Sequence, residues 1–332
     1  MLMTPPSSLQ SSLRIASLNL YNFAKPPFSF YHPDEHYSAQ QWQEKCLWLS
    51  SQLKHVQPAI IGFQEVFSPD ELARICQSCG LPFFSTVSNP VLAEDDPFLF
   101  IKPVVALASL YPIETITVLK PDTQLLAAFN LPIDFQFNRE PIKAKILIPV
   151  LGAATFYIVH LKSKRPTSLS SYTDVAFKEQ PIASALLNAT LGRYHSDMQR
   201  SLELALIYQD VIKSQTEGEH CTLIMGDFND QITSDGLGFI FNQVISDGLA
   251  QTPSFGVTDS YQGSEQHRAG THYYQNQGKV LDYILLSTPL LLPQSPFSVE
   301  FNAIDQHILN TSGLEQKLSS DHAFIYIDIT KK

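Results

Sequence analysis

Six apolar runs spread along the chain each adjoin, at one end, a carboxylate, an amide or an imidazole. The polar residues are Asn19, Glu65, His160, Asp227 with Asn229, Asp282 inside residues 280–286, and Asp321 with His322 just before residues 323–328. One at a time they are ordinary. Asp227 and Asn229 after the run 221–225 suit an Asx turn, because Asp and Asn bond their own backbone there. Glu65 suits a helix entry, His160 a hydrogen-bonded core imidazole, and Asp321 a turn. Asp282 differs in kind: it lies within an apolar strand, where a carboxylate is costly unless it is paired or bound to a metal. Turn chemistry does not require six strands to end this way. Strands gathered into sheets give these endings a common purpose, because ligands of α/β sheets bind beyond strand ends.

The hydrophobic pattern predicts the elements that carry them. Residues 14–20 alternate as a strand, residues 59–63 form a wholly apolar one after Pro58, and residues 221–225 form another. Ser38 with Gln41 spells a capping box before a helix whose apolar stripe is Trp42, Cys46, Leu49 and Leu53. Ser68-Pro69-Asp70-Glu71 opens a second helix. Short strands then dominate, at 83–87, 104–109, 115–119, around 135–137 and at 143–150. The turn at Leu151-Gly152 returns the last of these into 155–161 as a hairpin. Residues 163–195 read as a long excursion, after which Ser196 and Gln199 open a helix lined by Leu202, Leu206 and Ile212. A weaker helix near 237–244 and a loop with Tyr261, Tyr273 and Tyr274 precede two final strands, 280–286 and 323–328. No repeat or linker divides the chain, so residues 1–12 are expected to be a loose lead-in and 13–330 a single domain.

Composition narrows the function classes. The formal charge of −10, from 22 basic and 32 acidic residues, argues against broad non-specific attraction to nucleic acid or anionic membrane, so a polyanionic substrate must be met locally. No apolar run is long enough to span a bilayer and the first residues lack a signal-peptide pattern, which makes a cytoplasmic location the expectation. Cys46, Cys76, Cys79 and Cys221 lie in apolar periodic segments as reduced thiols do. The pair Cys76 and Cys79 ends a helix, where the dipole disfavours a thiolate, and no second pair completes a zinc site.

Oxygen ligands without thiolates select a hard cation, Mg²⁺ or Mn²⁺. Histidines paired with carboxylates suit proton transfer near neutral pH. Together they describe metal-assisted hydrolysis of a phosphate ester. Arg139, Lys162, Lys164 and Arg165 supply local cations for phosphate oxygens in an acidic chain.

Seven short motifs carry a family resemblance. In order they are Asn19 after a strand, Phe63-Gln64-Glu65-Val66, Phe137-Asn138-Arg139-Glu140-Pro141, Val159-His160-Leu161-Lys162, Met225-Gly226-Asp227-Phe228-Asn229, Leu281-Asp282-Tyr283-Ile284 and Ser320-Asp321-His322. Over residues 14–328 the chain thereby resembles the DNase I-like endonuclease/exonuclease/phosphatase superfamily. The resemblance implies an α/β fold, a four-layer α/β/β/α sandwich of two mixed, mostly antiparallel sheets face to face with helices outside. It further implies Glu65 as main metal ligand, with Asn19 and Asp321 at the ion or phosphate. Asp227 would orient or deprotonate the attacking water and Asn229 would hold it. His322, oriented by Asp282, and His160 would contact the scissile phosphate, and Arg139 would meet a nucleic-acid backbone. Asp95 or Asp96 would partner His160. Phe67 and Leu110 depart from the pattern, standing where relatives carry arginine, and this counts against a groove like that of DNase I.

The function expected is therefore Mg²⁺-dependent phosphodiester hydrolysis by an activated water, with nucleic acid among the substrates. The alternatives are a phosphatase or phosphodiesterase acting on inositol phosphates, lipid headgroups or other small esters, and a non-catalytic binding relative. No protein partner is indicated by the sequence.

Overall fold

The computed structural model describes residues 12–168, 180–240, 255–274, 277–309 and 317–332. The chain builds one sheet from its two ends and a second from its middle. The first half supplies β1 (Ser12–Phe23), β2 (Ile60–Val66), β3 (Phe83–Ser85) and β4 (Val104–Ser109) to the first sheet. The second sheet follows in β5 (Ile113–Val118), β6 (Ile142–Ile148), β7 (Gly152–His160), β8 (Thr222–Asp227), β9 (Val257–Asp259) and β10 (Asp282–Ser287). The chain then returns to the first sheet with β11 (Phe297–Ile304) and β12 (Phe324–Lys331). The strand orders are β11-β12-β1-β2-β4-β3 and β9-β10-β8-β7-β6-β5. Each sheet is antiparallel except for one central parallel pair, β1 with β2 and β7 with β8.

Three apolar clusters show how the layers sit. Ile15, Ile60, Leu107 and Ile327 of the first sheet meet Ile146, Ile158, Met225 and Ile284 of the second, so inner faces pack together. The outer face of the first sheet, with Leu18, Phe63 and Ala106, is covered by helix α1 (Ala39–Val56) and helix α2 (Pro69–Ser78). The outer face of the second, with Tyr157, Ile224 and Leu285, is covered by Leu204, Ile207 and Val211 of a 36-residue helix, Pro181–Thr216. Alternation along each strand explains this, since successive side chains point to opposite faces.

The capping box of α1 is present as spelled: Ser38 Oγ accepts the Gln41 N–H, and the Gln41 side chain accepts the Ser38 N–H. The long helix does not open at Ser196, as its sequence pattern predicts. It starts at Pro181, within the expected excursion 163–195, of which 169–179 lies outside the described residues. Gly192 interrupts the apolar period, and the structure gives its reason: a Cβ there would stand 2.3 Å from the Thr167 carbonyl oxygen. Ser196 is buried inside the helix, and its hydroxyl donates to the Arg165 carbonyl at 2.8 Å. The expected cap residue thus fastens the crossing loop.

Residues 135–137 are not a strand. Phe135 and Phe137 pack into the outer helix layer, and the Gln136 carbonyl accepts the Gln199 side chain, so their alternation is met by a helix. Helix Thr123–Ala128, capped by Asp122, and strand β11 are not announced by the apolar pattern. Near 237–244 a single 3-10 turn occupies Gly238–Ile240; residues 241–244 lie outside the described residues.

The β7–β8 contact depends on Gly226. Its φ is +145°, and a Cβ would fall 1.9 Å from the Val159 carbonyl oxygen, with no flexible side chain to yield. Gly226→Ala is expected to cost about 3 kcal/mol or more of unfolding free energy, because strained φ and a backbone clash combine. Urea denaturation measures this; an unchanged midpoint would contradict the close approach.

Candidate active site

Strand direction brings the polar endings together. The parallel pairs β1/β2 and β7/β8 end on one rim, and β10 and β12, antiparallel to their neighbours, begin there. His160, Asp227 and Asp282 lie directly opposite one another across β7, β8 and β10. One-residue slips would point them away, so register fixes the constellation.

Asp227 is its centre. Its Oδ2 accepts the Asn19 Nδ2–H at 3.1 Å and the Asn229 Nδ2–H at 3.3 Å, and lies 3.4 Å from His160 Nε2 and 3.9 Å from His322 Nε2. Its Oδ1 accepts the Asn229 backbone N–H at 2.7 Å. The Asx turn read from sequence is real, and it orients the carboxylate. Burial raises the Asp227 carboxyl above its ordinary range, with Asp282 and Glu65 adding to the rise and His322 opposing it.

Asp282 accepts from His322 Nδ1 at 2.8 Å, which leaves Nε2 facing Asp227. Burial opposes the charged ring, yet Asp282 and Asp227 hold His322 well above its ordinary value of 6.5. His160 goes the other way, pushed well below 6.5 by burial and then by Arg139 and His322. In protein freed of divalent ions, long-range ¹H–¹⁵N spectra should therefore show His322 doubly protonated above pH 6.5 and His160 neutral below it. The linked stability terms have opposite signs. The contribution of His322 is present below 6.5 and lost as pH rises through its folded value, whereas that of His160 is lost as pH falls from 6.5 towards its folded value. Equal titration of the two rings near 6.5 would contradict the pairing.

Glu65 and Asp321 face the same space. Glu65 has φ +60°, at an irregularity in the β2–β4 register, and its Oε2 accepts the Asn22 N–H at 2.8 Å. Burial raises its carboxyl, and Asp321 raises it further. Asp321 is lowered in spite of burial, by His272 and His322. Its Oδ1 is buried without a hydrogen-bond partner, and among the described residues no lysine or arginine forms a salt bridge with either carboxylate. Two carboxylates that feel each other's charge, one with an orphaned oxygen, fit a hard divalent cation. Asn19 commits its Oδ1 to the Tyr21 N–H and its amide to Asp227.

The cations divide. Arg139 reaches the site, near enough to Glu65 and His160 to act on both, and donates to the Leu161 carbonyl at 3.2 Å. Lys162 turns its ammonium onto the Ser163 and Arg165 carbonyls, and Lys164 pairs with Asp230. Asp230 is buried and also faces Arg200 at 3.4 Å. Neither Asp95 nor Asp96 serves His160: Asp95 is exposed, and Asp96 caps the Phe98 N–H of its own turn.

Two residues of the site carry no sequence signal. His272 places Nε2 3.6 Å from Asp321 Oδ2 and its ring 4.9 Å from that of His322, through a bridge between the two residues that no local pattern announces. Lys45 is buried under the same loop, donating to the Lys317 and Ser319 carbonyls at 2.9 Å each; burial pushes its ammonium down to about 7. On a predicted helix surface, a lysine gives no sign of this.

The fold and this arrangement define a class. Residues 16–322 match the model of the Endonuclease/Exonuclease/phosphatase family, and the chain belongs to that family, whose members hydrolyse phosphate esters. Among solved structures it is similar to the human Nocturnin catalytic domain with bound sulfate anion, at 14% identity and TM-score 0.58, covering 98% of this chain and 96% of that one. It is similar also to D. rerio TDP2 complexed with single strand DNA product, at 14% identity and TM-score 0.57, covering 97% and 100%. An endonuclease/exonuclease/phosphatase from Beutenbergia cavernae, at 12% identity and TM-score 0.54, covers 97% of this chain and 72% of that chain. These likenesses establish the DNase I-like fold. No curated protein matches the chain by sequence. No helix among the described residues is long and apolar enough to cross a membrane.

Proposed function

We propose that the protein is a divalent-metal-dependent phosphodiesterase of nucleic acids. The observation that carries this reading is the Asp227 constellation: a buried carboxylate held by Asn19 and Asn229, flanked by His160 and by a His322 that Asp282 keeps charged. Glu65 and Asp321 are the residues that would hold Mg²⁺ or Mn²⁺. The bound ion would supply charge neutralisation at the phosphate.

Asp227 accepts the proton of the attacking water as its oxygen bonds to phosphorus and the opposite P–O ester bond breaks, the departing oxygen taking a proton from solvent; burial has raised the Asp227 carboxyl towards the range where that transfer is efficient. Asn229 fixes the orientation of that carboxylate with its backbone N–H, and its side-chain amide bridges to the Leu161 carbonyl at 2.9 Å. His322, charged and oriented, donates from Nε2 to a non-bridging oxygen of the phosphate, where charge builds in the transition state. His160 is held neutral, and its Nε2 faces the same carboxylate. Arg139 adds a fixed positive charge beside Glu65 and His160. The likeness to D. rerio TDP2, a protein complexed with a single-strand DNA product, supports nucleic acid as the substrate class over inositol phosphates or lipid headgroups.

The test is purified protein with Mg²⁺, Mn²⁺ or EDTA against plasmid, single-stranded DNA, RNA, a generic diester and inositol phosphates. Metal-dependent cleavage of at least one nucleic acid is expected. Turnover confined to inositol phosphates would replace the proposal with the small-ester reading, and no turnover on any ester would remove it.

A further inference from the structure

A cavity of about 130 Å³ adjoins the site on the Glu65 side. Its lining includes Phe30 and Tyr37, which are buried, and Tyr21 and Tyr31, which are half-buried, and Asn22 lies between it and Glu65, to which the Asn22 N–H donates. Cavity and candidate metal ligand thus share a wall. Tyr31 links them a second way, since it lines the cavity and feels the charges of both Glu65 and Arg139.

Three features set this cavity apart from a packing defect. Tyr21, Asn22 and Tyr31 have φ of +49°, +61° and +61°, a conformation that tyrosine rarely adopts, and Glu65 beside them has φ +60°. Such strain persists where the surrounding structure enforces it and gathers at ligand sites. Asn22 Oδ1 is a buried acceptor without a hydrogen-bond partner. Arg165 and Lys317 stand in the lining; Lys317 pairs with Glu35, and Arg165 acts on Tyr21 and, after Arg139, on Tyr31.

Two half-buried tyrosines and a cation, next to the candidate metal ligand, suit a flat ring carried on a phosphate backbone. We propose that the cavity is a base subsite, receiving one unstacked nucleobase of a single-stranded nucleic acid whose adjoining phosphate lies at Glu65, Asp227 and His322. The inference rests on the nucleic-acid phosphodiesterase reading and narrows it to single strands, since a base held in a duplex presents no free face.

The test uses full-length protein in EDTA, so that nothing is cleaved, with a short single-stranded oligonucleotide carrying one 2-aminopurine and with an otherwise identical abasic strand. The wild-type protein is expected to quench the 2-aminopurine and to bind the normal strand about five- to 150-fold more tightly than the abasic one, the usual worth of one stacked base. Tyr21→Leu and Tyr31→Leu are expected to remove most of that preference, and Tyr21→Phe and Tyr31→Phe to keep it. Equal affinity of the wild type for the two strands overturns the subsite whatever the variants do. So does an unchanged preference in both leucine variants. Cleavage of a generic base-free diester with Mg²⁺, measured alongside, separates the two claims. Cleavage without base preference removes the subsite alone, and base preference without cleavage removes the catalytic reading alone.

Discussion

Asp227→Asn should lower kcat at least about 10³-fold while leaving the fold and divalent-ion binding in place. The expected size follows from removing a positioned base in a buried, charged site. Asparagine keeps the shape and can still accept the Asn229 N–H, but it cannot take a proton from water. It also removes one of the three carboxylates that favour the charged His322 ring, so the imidazolium should become easier to deprotonate. Rate and histidine titration should therefore change together. Steady-state kinetics with long-range ¹H–¹⁵N spectra of His322 checks both, an ITC titration of Mn²⁺ checks that the ion still binds, and near-wild-type turnover would assign Asp227 a structural role only.

Glu65→Gln should act on the ion. The variant keeps an acceptor for the Asn22 N–H and relieves the repulsion from Asp321, so stability should hold or rise slightly. Divalent affinity should fall by about 10²-fold or more, beyond the 10- to 100-fold typical of losing a supporting residue around a metal. EPR of Mn²⁺ measures it directly in the absence of substrate. Unchanged Mn²⁺ affinity, with activity lost, would mean that Glu65 contacts substrate and that the ion sits elsewhere.

What the sequence showed and what it hid divide along a physical line. Strand ends are local: an apolar run that stops at Asp227 or Glu65 is visible in the residues themselves, and parallel pairing then carries separate endings to one rim. The capping box of α1 was legible for the same reason. Contacts set by tertiary approach were not. His272 meets Asp321 because a loop bridges to His322, and Lys45 reaches the Ser319 carbonyl because α1 packs under that loop. Residues 163–195 read as an excursion before a helix at Ser196, whereas the helix already runs from Pro181 and the missing side chain of Gly192 lets residues 166–167 cross it. Lys162 and Lys164 illustrate the reverse error of scale. A basic run beside a site is easy to see, but where the ammonium groups turn is decided by neighbours such as the Arg165 carbonyl and Asp230.

Stereochemistry at phosphorus tests the role of Asp227 most directly. A phosphodiester with a single chiral phosphorothioate is hydrolysed in ¹⁸O-water, with Mg²⁺ or Mn²⁺ present or removed by EDTA. Direct attack of a water activated by Asp227 predicts cleavage only with the metal, one solvent oxygen in the product and inversion at phosphorus. Cleavage that survives EDTA, or retention at phosphorus through a phosphorylated histidine, would contradict it.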